Sequence, residues 1–124
     1  ARSHNDQSIE KQVQHMKDTF EQTAKDLGGQ AHVEIEKSYP GFKVNDDELV
    51  AKIAKESAVT LGLKGNTVIS GGGSDGSIIN TYGIPSVILG VGYENIHTTS
   101  ERIAVKDLNM LTSQVLKIIE LVVD

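Results

Sequence analysis

Ser70-Gly71-Gly72-Gly73-Ser74-Asp75-Gly76 follows the apolar run Thr67-Val68-Ile69 and precedes Ile78-Ile79. Two chemical patterns overlap in these seven residues. Gly71-x-Gly73-x-x-Gly76 has the spacing of a dinucleotide-binding turn, in which glycines let the backbone approach a pyrophosphate at a helix start. Gly72-x-Ser74-x-Gly76 has the spacing of a nucleophile elbow, which would use Ser74 with a later histidine, here His97. The third reading is a strand-to-helix turn, with positive φ supplied by glycine and with Ser74 or Asp75 as the helix cap.

The flanking residues weigh against the first two. The apolar run Pro85-Ser86-Val87-Ile88-Leu89 begins only nine residues after Gly76, which leaves a short helix. The acidic residue a dinucleotide site needs about 20 residues on would be Glu94, which falls in a loop. For a triad, the acids near His97 are Glu94 and Glu101, in the same loop as the histidine. Three successive glycines still exceed what a turn requires. They bare backbone N–H groups where an anion such as a carboxylate can bind. A loop after the carboxyl end of a parallel strand is also where open α/β sheets place ligands.

Working outward, apolar residues Ile9, Val13, Met16, Phe20, Ala24 and Leu27 recur at helical spacing. Asn5 or Asp6 is the cap and Gly28-Gly29 the stop, so a helix is expected from Gln7 to about Leu27. Ala31, Val33 and Ile35 alternate with His32, Glu34 and Glu36, the period of a strand with one wet face. Tyr39-Pro40-Gly41 then reads as a turn. Asn45-Asp46-Asp47-Glu48 has the shape of a capping box, followed by a helix through Leu49, Ile53, Ala58 and Leu61 to Gly62. Residues 67–69 and 85–89 read as short buried strands, Ser74 to Tyr82 as a short helix, and Gly90 to Arg102 as a polar loop. Leu108, Leu111, Val115, Ile119 and Val122 mark a last helix.

Helix, strand, helix, strand, helix after residue 44 implies an α/β fold with a partial parallel or mixed sheet and flanking helices. Residues 1–43 are expected to form a smaller α+β piece, with a boundary between residues 43 and 44.

The chain has 124 residues, enough for one modest domain with its own core. Its 12 basic and 17 acidic residues leave a formal charge of −5, which gives no electrostatic case for nucleic acid. No apolar run reaches the roughly 18 residues of a membrane span, and no signal peptide is visible. Cysteine is absent, so there is no thiolate ligand or nucleophile. The expected location is cytoplasmic. His4, His15 and His32 are scattered and read as solvated. His97 follows the second apolar run, so two adjacent parallel strands would bring it to the same rim as the glycine loop.

The segment SGGGSDGSIINTYGIPSVILGVGYENIHTTSERIAVKDL resembles the carboxyl-terminal catalytic segment of the M20 metallopeptidases, and among them the peptidase T-like tripeptidases. The shared features are Gly-Gly-x-Ser-Asp-Gly, a Gly-Ile-Pro strand start, and His-x-x-x-Glu before the last helix. The opening ARSHND and the later SYPGF resemble the latter half of that family's lid domain, so the resemblance spans essentially the whole chain.

The resemblance implies a two-zinc exopeptidase, tripeptidase or aminopeptidase-like, acting on short peptides. By the same resemblance His97 is a zinc ligand. Gly72, Gly73 and Ser74 line the substrate site, and Arg2 is a partner for a substrate carboxylate. It further implies that residues 1–43 are the latter half of a lid or dimerisation domain and residues 44–124 the carboxyl-terminal part of a catalytic domain. The family's other metal ligands and its general-base glutamate have no counterpart here. The chain is therefore expected to be part of an enzyme, inactive alone, with no catalytic acid or base of its own. Its expected partners are the missing amino-terminal portion, a short peptide and a second copy of itself. The alternatives kept open are a serine hydrolase using Ser74 and His97, and a nucleotide-binding or structural α/β module.

Overall fold

The computed structural model describes residues 1–123. It contains four helices: α1 (Asp6–Asp26), α2 (Leu49–Thr60), α3 (Asp75–Thr81) and α4 (Val105–Val123). By packing, the chain divides into two units. One joins residues 1–43 to residues 70–83; the other joins residues 44–69 to the chain from residue 84 onward.

In the first unit α1 starts one residue before the expected position. Asn5 is its cap, with Oδ1 accepting the Ser8 N–H at 2.8 Å. Its far end closes as a Schellman motif: the N–H of Gly28 (φ +76°) donates to the Lys25 carbonyl at 3.0 Å and that of Gly29 to the Ala24 carbonyl at 2.8 Å. The predicted apolar stripe is present but uncovered. No residue of α1 is buried, and Phe20 and Leu27 are 55% and 83% exposed. Lys37 reaches back to Asp6 at 3.4 Å. The short α3 buries Gly76 and Ser77, and Gly83 (φ +74°) lies just past its end.

In the second unit α2 packs on α4. Ala51 and Ala58 are buried between polar neighbours that satisfy each other. The fully buried Ser57 donates to the Ala54 carbonyl at 2.8 Å, and Gln114 Nε2 donates to the same carbonyl at 3.2 Å and to Ser57 Oγ at 3.4 Å. The end of α2 is a second Schellman motif, with Leu63 N–H on the Ala58 carbonyl and Gly62 (φ +76°) N–H on that of Val59. Its start differs from the expected capping box. Glu48 Oε1 does accept the Asn45 N–H at 2.7 Å, but Asn45 returns its main-chain carbonyl, not its side chain, to the Glu48 N–H. Glu48 itself therefore occupies the cap position.

The segment before α2 is tied to residue 67 through Asp46. Its Oδ1 accepts the Thr67 hydroxyl at 2.8 Å, and its Oδ2 lies 3.3 Å from Lys55 Nζ. The Thr67 hydroxyl, and then the Lys55 ammonium, hold this carboxyl below its ordinary value of 3.8. A carboxyl depressed on folding stabilises above its unfolded pKa and loses that contribution as pH falls through the folded value. Asp46→Asn is thus expected to lower the urea midpoint near neutral pH and to lower it less in acid, as the carboxyl becomes protonated in the folded as well as the unfolded chain. An equal loss at both pH values would contradict the assignment.

The sheet predicted from the sequence is not there. Residues 31–36, 67–69 and 85–89 form no strand, and the one pairing among the described residues is an isolated antiparallel bridge between Glu94 and Arg102. The fold is helical, not α/β, and the small α+β piece expected in residues 1–43 is likewise only a helix with an unpaired segment. Part of the side-chain alternation that suggested a strand persists without a ladder: Ala31 and Val33 are partly covered while His32 and Glu34 are exposed, but Ile35 is 55% exposed and breaks the pattern. A ladder needs a neighbour to hydrogen-bond with, and none of the three runs finds one among the described residues. Val68, Ile69 and Ile88 are accordingly 86%, 90% and 60% exposed, not buried.

Candidate functional site

The glycine loop belongs to the first unit. None of Gly71, Gly72 and Gly73 takes a positive φ, so conformational freedom is not what requires glycine here, contrary to the turn reading. Space is the requirement at one position. A Cβ on Gly73 would overlap the Tyr39 hydroxyl and Cζ and come within 2.9 Å of Cε2; at Gly71 it would meet nothing. The Gly72 N–H turns back to Ser70 Oγ at 3.2 Å.

Arg2 stands at the same loop. Its Nη1 donates to the Gly71 carbonyl at 3.3 Å. The sequence-predicted residues Arg2, Gly72, Gly73 and Ser74 are therefore gathered within one unit. Of the two expected caps, Ser74 is the N-cap of α3 and Asp75 is its first residue, yet the Ser74 side chain makes no capping bond. The main chain does the work instead, with the Ser77 N–H on the Ser74 carbonyl at 3.0 Å. Tyr39 is the residue that sequence reading missed. It was legible only as part of a Tyr-Pro-Gly turn, and nothing in that tripeptide points to a glycine 34 positions later.

His97 belongs to the second unit, in a loop that stitches itself closed. Glu94 and Arg102 exchange main-chain bonds of 2.9 and 3.1 Å, and the Arg102 guanidinium holds the Glu94 carboxylate through Nε at 2.7 Å and Nη2 at 2.5 Å. Between them Asn95 and His97 take left-handed φ values of 53° and 64°, which Asn and His tolerate better than most residues. The Glu101 carboxylate accepts the His97 main-chain N–H at 2.6 Å, and Thr98 Oγ1 donates to the Asn95 carbonyl at 2.7 Å. Glu101, four residues from the histidine, thus fixes its backbone and not its ring.

Among the described residues no three His, Cys, Asp or Glu side chains gather closely enough to hold a metal ion. His97 can offer one imidazole, whereas a zinc site takes at least three protein ligands. The residues present do not make a zinc centre by themselves. No described helix is long and apolar enough to cross a membrane.

A sequence profile described as Peptidase family M20/M25/M40 matches residues 3–121. The chain belongs to that family. Over 97% of its length this M20 chain is 68% identical to a crystallised tripeptidase from Staphylococcus aureus, with a TM-score of 0.86, and covers 32% of that chain. A second solved structure, the aminopeptidase PepT of Bacillus cereus, is 46% identical over 97% of the chain with a TM-score of 0.77, again covering 32% of its length. Among curated sequences, the uncharacterized protein YqjE of Bacillus subtilis is 48% identical over 97% of the chain and 32% of its own length. A peptidase T of Ligilactobacillus salivarius is 29% identical over 97% of the chain and 30% of its own length. The M20 chain spans about a third of each of these relatives.

Proposed function

We propose that this M20 chain is the carboxyl-terminal portion of a zinc-dependent exopeptidase that hydrolyses short peptides, tripeptides foremost, and that it is inactive alone. The observation that carries the reading is its 68% identity, over nearly all of its length, to a protein described as a tripeptidase. The Arg2 guanidinium at the glycine loop adds a chemical reason. A guanidinium offers a planar fork of donors that matches a carboxylate, the group every free peptide carries at one end.

On this reading residues 1–43 are the latter half of a lid or dimerisation domain, and the remainder is part of the catalytic domain. Backbone groups of Gly72, Gly73 and Ser74 line the substrate, Arg2 holds its carboxylate, and His97 supplies one ligand to a two-zinc centre whose other ligands lie outside this chain. Zinc in such a centre polarises the scissile carbonyl and lowers the pKa of bound water. The residues of this chain bind and orient. A cytoplasmic location and a homo-oligomer belong to the same proposal. The apolar side chains of Val68, Ile69 and Ile88, all well exposed, are the surfaces such contacts would cover.

The intact polypeptide is expected to release free alanine from trialanine, to lose that activity after dialysis against a chelator, and to regain it with zinc. Activity that survives chelation and dies with a serine-directed probe would overturn the reading in favour of Ser74. No hydrolysis by the zinc-loaded polypeptide would overturn the peptidase itself.

A further inference from the structure

The contact between Tyr39 and Gly73 has no role in the assignments above. The phenol lies against Gly73, in the space a Cβ would take, so a side chain there would require the ring to move. Tyr39 is 39% exposed, and its hydroxyl makes no hydrogen bond to any described residue. Two positions away, Arg2 commits an Nη1 hydrogen to the Gly71 carbonyl and has no carboxylate within ion-pair distance among the described residues. A neutral O–H donor and an unpaired cation therefore flank the same three glycines. Both side chains are exposed, so a peptide laid on the loop can reach them, and a carboxylate is an acceptor that can take a charge-assisted bond from each.

We propose that Tyr39 is a substrate-positioning residue, its phenolic hydroxyl donating to the terminal carboxylate of a peptide laid along Gly71–Gly73 beside Arg2. This rests on the peptidase reading above and extends it to a residue outside the recognised motifs. It also gives Gly73 a physical reason: any side chain there would push the phenol off the loop.

The test is steady-state kinetics of the intact zinc-loaded polypeptide with trialanine and with trialanine amide, which lacks the carboxylate. Tyr39→Phe keeps the ring and removes only the donor. A hydrogen bond to a charged acceptor predicts that KM for trialanine rises about ten-fold or more while kcat stays within about two-fold. KM for the amide changes far less, so the preference for the free acid shrinks. Gly73→Ala, which displaces the ring, should narrow the same preference. A wild-type enzyme that cleaves neither substrate would remove the peptidase reading and this proposal together. An active enzyme in which Tyr39→Phe leaves both KM values unchanged, or raises both equally, would overturn the role of Tyr39 alone.

Discussion

Incubated with trialanine and excess zinc, the 124 residues on their own are expected to release no free alanine above the uncatalysed background. Hydrolysis of a peptide bond by a metal centre needs an ion held firmly with an open position for water. Among the described residues there is no cluster of three ligating side chains, and one exposed imidazole cannot hold an ion against solvent. The substrate side is equally partial: in the proposed role Arg2, the glycine loop and Tyr39 would orient a peptide, and orientation alone leaves the attacking water at its ordinary pKa. Amino-acid analysis of a prolonged incubation checks the result. Robust turnover by the chain alone would mean that it carries a complete active centre of another kind, and the assignment of His97 as one ligand among several would fail with it.

The second large effect concerns His97 in the intact polypeptide. His97→Ala is expected to lower kcat/KM for trialanine by about a thousand-fold or more. Lewis-acid and water-activating roles are worth several kcal/mol, and each 1.36 kcal/mol is a factor of ten. The surrounding loop argues that this loss would be local. The Glu94–Arg102 pair and the Glu101 carboxylate engage main chain and one another, so removing the ring leaves the loop's own bonds in place. An unchanged circular dichroism spectrum should therefore accompany the loss, with only a small fall in the urea midpoint from placing alanine at a left-handed φ of 64°. A variant that keeps near-wild-type kinetics would take His97 out of the centre.

How far the sequence could be read depended on the range of the forces involved. Helices close their hydrogen bonds within four residues, and their ends were legible to within a residue or two: Asn5 as a cap, Gly28 and Gly62 as left-handed stops. Strands are settled by neighbours elsewhere in the chain. The apolar runs at 67–69 and 85–89 and the alternation at 31–36 showed what such segments would bury, and gave no information on whether a partner is present. The same divide holds at the site. Arg2, Gly72, Gly73 and Ser74 were named from the family resemblance, and the structure brings Arg2 to the glycine loop. Tyr39 was out of reach because its contact with Gly73 is made through space. The reason for glycine at 73 was misjudged on the same ground, since steric exclusion by a distant ring leaves no local trace.

The most direct test is the zinc content of the intact polypeptide, measured by elemental mass spectrometry after exhaustive dialysis, for the wild type and for His97→Ala side by side. The account predicts about two zinc ions per wild-type polypeptide, as a two-metal centre requires, and the loss of about one of them in the variant. Equal zinc in both proteins would contradict it, because the chain would then contribute no ligand to the centre it is proposed to complete.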